Sequence, residues 1–185
     1  MKKECIISIL MIFLLSFTVN AAPSTSVSVK DVSGSNGSVV EVPISVAGAS
    51  GIGSLDIVLT YNSSVLNVYE VKKGELTRDS LLNSNSETPG IIAIGIADSN
   101  GLSRDGTIAI IAFKVAGKPG DTSQLSLDSA NANEINDLID VPISRTSSAF
   151  TVVEAGMAWK TIIILFMALF IIVVIIVVKK RYVKI

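Results

Sequence analysis

The sequence predicts an all-β sandwich followed by one membrane-spanning helix. Two observations carry the sandwich: short Val-, Ile- and Leu-rich runs recur between residues 22 and 158, each closed by Gly, Ser, Asn or Asp, and no stretch there reads as a convincing helix. A third carries the helix: Thr161 to Val178 is 18 residues without a charge, or roughly 27 Å at ~1.5 Å per residue, close to the hydrocarbon thickness.

In chain order, Lys2 and Lys3 precede the apolar run Cys5 to Val19, and Val19-Asn20-Ala21-Ala22 follows. A charged start, a short apolar run and a small-residue exit describe a secretory signal peptide, residues 1–21, cut after Ala21. An uncleaved anchor is the alternative, although the run is short for a span. Cys5 has no lipobox-like neighbours.

The expected domain covers residues 25–153. Val27, Val29 and Val32 mark a first strand, and Val39 to Val46 a second, with Pro43 pointing to an edge or a bulge. In the third, Leu55, Ile57 and Leu59 alternate with Ser54, Asp56, Val58 and Thr60. Period two puts the first set inside and Asp56 outside, in mid-strand. Strand centres disfavour Asp, which competes for backbone hydrogen bonds. Asp56 is therefore either an exposed acid paired across to a Lys or Thr, or a contact for something else.

Asn62-Ser63-Ser64 turns the chain, Val65 and Leu66 return to the core, and Val68 and Val71 lie on the next strand. Residues 75–89 read as a polar loop with a helical turn at Leu81-Leu82. Gly90 to Ala97 is a glycine-interrupted strand, and 98–101 a loop. Thr107 to Val115 is nearly all apolar, as for a strand covered on both faces. Leu125 and Leu127 alternate, residues 130–137 are polar, and the last strands lie near 139–143 and 149–153. About nine short strands at such spacing make a sandwich.

Residues 154–160 form a short stalk before the helix at 161–178. Trp159 suits the interface, and Lys179, Lys180, Arg181 and Lys184 in the tail 179–185 mark the cytoplasmic side. The expected location is the cell membrane, single-pass, with the N-terminal domain extracellular and the C-terminus cytoplasmic.

Between residues 22 and 158 there are fifteen acids and eight bases, a net of −7. Such a domain does not favour nucleic acid, whose phosphates need a basic footprint. The charge serves solubility or the steering of basic partners. The chain has no His, and its one Cys lies in the signal peptide. Ser-His-Asp, Cys-His and His-ligated zinc chemistry are therefore excluded, and the reading is not an enzyme, with no catalytic or metal residues.

The stretch Gly51-Ile52-Gly53-Ser54-Leu55-Asp56-Ile57-Val58-Leu59-Thr60-Tyr61-Asn62-Ser63-Ser64-Val65-Leu66 resembles the third-strand signature of cohesin domains, a strand with an acid followed by Tyr-Asp-Pro-x-Val-Leu. Val39 to Ile44 resembles the family's second strand. Lys73-Gly74-Glu75-Leu76 resembles the step after its fourth. Ala97-Asp98-Ser99 and Asp105-Gly106-Thr107-Ile108-Ala109 resemble a later loop and the entry to the following strand. Asn131 to Leu138 resembles the Ala/Asn-rich segment before its final strands. The likeness runs from Val27 to Val153.

This resemblance implies a nine-stranded jelly-roll that binds dockerins, small calcium-loaded modules on other proteins. Calcium is then expected in the partner and no cofactor in this chain. The resemblance also implies a partner face centred on Asp56, whose carboxylate would accept bonds from dockerin hydroxyls, with Ser54, Val58, Asp98 and Asn100 as further contacts. For Asp98, a loop-capping acid is the competing reading.

The chain departs from the family pattern at Asn62-Ser63, in place of Asp-Pro, and at Ser54, where many cohesins carry Asn. The first change creates a sequon, so Asn62 joins Asn36 as a glycosylation candidate. The expected function is a cell-surface module tethering dockerin-bearing proteins, in polysaccharide breakdown or envelope assembly. Direct polysaccharide binding and a structural envelope role are the alternatives. The first needs aromatic platforms, and the domain has only Tyr61, Tyr69, Phe113 and Phe150.

Overall fold

The computed structural model describes residues 25–137, 139–155, 163 and 166–171. In order the strands are β1 (Thr25–Val29), β2 (Val32–Ser35), β3 (Val39–Ala47), β4 (Ile52–Thr60), β5 (Leu66–Lys73) and β6 (Leu81–Asn85). They continue with β7 (Ile91–Leu102), β8 (Gly106–Val115), β9 (Thr122–Glu134), β10 (Asp140–Val141), β11 (Ile143–Thr146) and β12 (Ser148–Val153). One sheet runs β11-β1-β3-β8-β5, the other β2-β12-β9-β4-β7-β6, with β10 beside β9. Their inner faces share one core, in which Phe113 and Phe150 are fully buried among the Ile, Leu and Val side chains.

The sandwich architecture expected from the sequence is present, with twelve strands among the described residues where nine were expected. The first segment is two strands in different sheets. After Val29 the chain crosses over, and Ser148 Oγ donates to Lys30 O at 3.0 Å while Ala149 N donates to Asp31 Oδ1 at 2.9 Å. β2 then pairs with β12 in parallel. Near the end, Pro142 separates β10 from β11.

Other expectations are corrected. Residues 81–85 are a strand, not a helical turn, because Leu82 packs on the core opposite Ile96 while Leu81 points out, 77% exposed. β9 extends through the polar segment to Glu134, since Ala132 supplies an inward apolar residue between Asn131 and Asn133. β7 likewise continues through residues 98–101, expected as a loop.

Pro43 sits in β3, an inner strand of its sheet, but the β1 ladder stops at Val29↔Ile44, so one flank of Pro43 is unpaired. The expected bulge lies next to it, between Ile44 and Ser45. Among the described residues no second layer covers the outward face of β8, although Ala112 on that face is buried. Its outward Lys114 is exposed, and Ala112 lies opposite Glu41 and Glu70, whose carboxylates meet Lys72 Nζ at 3.0 and 3.5 Å. Small Ala112 is shielded under these long side chains.

The signal peptide 1–21 and the tail 179–185 lie outside the described residues, as do most of the stalk and most of the span. Ile163 and residues 166–171 are helical, and no helix among the described residues is long and apolar enough to cross a membrane.

Candidate functional site

The outer face of β9-β4-β7-β6 is built from three rows, fixed by strand register. The central row reads Asn131, Asp56, Gly95, Asn83 across the four strands. One side of it carries Asn133, Ser54, Ala97 and Leu81, and the other Ser129, Val58, Ala93 and Asn85. Leu55, Ile57 and Leu59 are buried on the inner side, so Asp56 is forced outward and is exposed.

Gly95 explains how Asp56 sits. A Cβ at Gly95 would stand 3.2 Å from Asp56 Oδ1, so the carboxylate leans over a position with no side chain. Ala93 and Ala97 flank that position along β7, and the result is a flat surface with the acid at its middle. Two open hollows adjoin Asp56. One is lined by Val58, Asn83, Asn85 and Ala93, the other by Ser54, Leu81, Asn83 and Ala97.

Charge on these strands is one-sided. β4, β6, β7 and β9 together contain Asp56, Asp98, Asp128 and Glu134 but no Lys or Arg. They contain no aromatic residue either. Of the domain's aromatics, Phe113 and Phe150 are buried, and Tyr61 packs edge-on against Phe113 with ring centroids 5.1 Å apart. Tyr69 is exposed, but on β5 of the other sheet. A stacking platform for sugar rings is absent from this face.

The other expected contacts fare differently. Ser54 is half-buried, and its Oγ donates to Asn133 Oδ1 at 3.3 Å; Asn133 Nδ2 in turn donates to Asp140 Oδ1 at 2.8 Å. Val58 is half-buried between Ala93 and Ser129. Asp98 is already engaged. Ser80 Oγ donates to its Oδ2 at 2.5 Å and Asn100 N to its Oδ1 at 2.8 Å. The Ser80 bond, followed by backbone bonds from Asn100 and Gly101, holds its carboxyl below the usual range against the opposing effect of burial. The geometry is that of a capping acid. Asn100 is exposed beside it, its own N–H spent on Asp98.

The sequence reading missed Asn83, Asn85, Asn131 and Asn133. Two Asn-x-Asn spacings, Asn83-Ser84-Asn85 and Asn131-Ala132-Asn133, were the available signal, since period two places each pair on one face. The first pair falls in the segment read as a polar loop, the second in the segment read only as polar. Among the described residues, no group of three or more His, Cys, Asp or Glu side chains could hold a metal ion. The sequon residues Asn36 and Asn62 lie off this face, in the turns after β2 and β4.

A family model described as "Cohesin domain" matches residues 25–146. The cellulosome-anchoring protein of Acetivibrio thermocellus is 28% identical over 170 residues, 81% of this chain. The chain spans 38% or less of the length of the curated relatives it matches. A non-cellulosomal cohesin from the archaeon Archaeoglobus fulgidus superimposes with a TM-score of 0.66 at 30% identity, over 75% of this chain and 97% of that one. The sixth cohesin of scaffoldin B from Acetivibrio cellulolyticus, solved with a Cel5 dockerin, gives 0.65 at 23% identity over 70% and 99%, which shows the fold alone.

Proposed function

The chain belongs to the cohesin domain family of non-catalytic binding modules, and from that premise we propose that it captures a dockerin-bearing protein on the outer face of β9-β4-β7-β6. The observation that carries this reading is the exposed Asp56 carboxylate, laid over Gly95 at the centre of a flat face without cations or aromatics. A carboxylate only accepts hydrogen bonds. It therefore suits Ser or Thr hydroxyls or a basic side chain on the partner, in short, charge-assisted bonds. The amides of Asn131 and Asn83 to either side add donors and acceptors in the same row. The small residues of β7 allow a partner helix to lie close. Ser54 and Val58 belong to this contact, whereas Asp98 shapes its rim.

The calcium of the assembly would reside in the dockerin. Residues 161–178 would hold the module in the cell membrane, with the domain outside and the tail 179–185 inside. Products of a recruited enzyme, or a recruited envelope component, would then be kept at the cell surface. The cohesin family match and a relative whose name is that of an anchoring protein support this reading.

The test uses the full-length chain in detergent. Immobilised, it should retain dockerin-bearing proteins of its own proteome, and a calcium chelator should release them. Asp56→Lys should keep the thermal melt and lose the capture. Retention on insoluble polysaccharide without dockerin capture overturns the reading, and so does an Asp56→Lys variant that binds as the parent does.

A further inference from the structure

We infer that Asn62, and not Asn36, is an N-glycosylation acceptor of this domain. Both residues open an Asn-x-Ser triplet, so the sequence treats them alike. Their surroundings separate them. Asn36 Nδ2 donates to Ala116 O at 2.9 Å and to Gly117 O at 2.8 Å. The next residue is tied down as well, with Gly37 N donating to Val115 O at 2.8 Å. Both hydrogens of the Asn36 amide are engaged in clamping its turn to the segment after β8. Glycosylation replaces one of those hydrogens with a sugar carbon. At Asn36 it must break a bond of the clamp and push the neighbouring backbone aside.

Asn62 is bonded from the opposite side. Its Oδ1 accepts from Ser64 N at 3.0 Å and from Ser64 Oγ at 2.7 Å. Its backbone N–H is held by Ser123 Oγ at 2.9 Å. The side chain is exposed, and its Nδ2 makes no hydrogen bond to any described residue. The oxygen is anchored and the nitrogen presented, on a turn that the rest of the domain holds still.

The reaction needs a lipid-linked sugar phosphate and a transferase from the host, and it rests on the domain being exported. The Asn62 nitrogen bonds to C1 of the sugar, and its displaced proton goes to a base of the transferase. The C1–oxygen bond to phosphate breaks, and the lipid phosphate leaves with that electron pair. Position makes the modification compatible with docking. Asn62 is six residues beyond Asp56, about 20 Å along an extended chain. It adjoins Ser123, which pairs with Phe150 of β12, the strand by which the chain leaves the domain. A glycan there stands at the exit end and leaves the Asp56 row open.

The test treats the full-length chain in detergent with an oligosaccharyltransferase and a lipid-linked oligosaccharide, folded and after urea unfolding, and reads glycopeptides by mass spectrometry. Folded protein should carry the glycan on Asn62, with occupancy of Asn36 at least about tenfold lower; unfolded protein should carry both. Ser64→Ala should abolish modification at Asn62 alone. An unoccupied Asn62 in the folded chain, or Asn36 modified to the same extent, overturns the inference. Dockerin capture, measured separately on the glycosylated chain, should be unchanged, and its loss on glycosylation alone refutes the stated placement.

Discussion

Gly95→Val should make the domain no less stable and much worse at capture. Gly95 is not among the positive-φ glycines, so a β-branched residue suits its backbone. Replacing Gly in a strand interior recovers roughly 0.5–1 kcal/mol of backbone entropy. The new Cβ meets Asp56 Oδ1 at 3.2 Å, and that atom is the end of an exposed side chain that can swing away. The methyl groups then occupy the place where the carboxylate lay. Removing one partner of a hydrogen-bonded charge contact costs about 2–5 kcal/mol, or roughly 30- to 4,000-fold in Kd. The assay pairs calorimetric titration with a dockerin against urea unfolding of the same variant. An unchanged Kd refutes the argument, because the Asp56–Gly95 geometry would then not matter. Stability and affinity falling together would also refute it, since the loss would then be of the fold.

Three further outcomes are expected. Asp98 has a folded-state pKa below its unfolded value, so its contribution to stability is complete above the unfolded value near 3.8 and is lost as pH falls through the folded one; Asp98→Asn should flatten that acid limb in pH-dependent melts, and an unaltered profile would refute the Ser80 bond as its cause. With four acids and no base on the docking strands, the association rate with a basic dockerin should fall as salt rises from about 0.01 to 0.15 M, where the screening length shrinks from ~30 to ~8 Å; stopped-flow rates independent of salt would count against a charge-steered encounter. Asn36→Ala removes two bonds to backbone carbonyls and should cost about 1–3 kcal/mol in urea unfolding while leaving dockerin affinity as it was.

The sequence was most readable where large and polar residues alternate. Leu55, Ile57 and Leu59 announce their strand and so place Asp56 outside, as found. Where the inward residue is Ala, as at Ala132, the contrast with Asn131 and Asn133 is too weak to show a strand. At β6, two adjacent leucines point to opposite sides and turn-forming residues follow, which hides the alternation. Residues 98–101 read as a loop because β7 becomes irregular there, with a register shift where it meets β4 between Ile52 and Ser54. The rows of the candidate face depend on which residues lie side by side, and nothing local in β4 names Gly95 as the neighbour of Asp56. That pairing comes from sheet order, which only the assembled core decides.

The opening residues of the domain are hydrogen-bonded to its closing ones: β1 lies parallel to β11, and β2 parallel to β12. Each sheet gains one of its two edges late, β11 beside β1 in one and β2 beside β12 in the other, so a chain emerging in order waits, incomplete, for its last strands. Contacts this distant in sequence make closure slow and late. Shortening the domain by its final strand should therefore leave β2 and one flank of β9 without a partner at once.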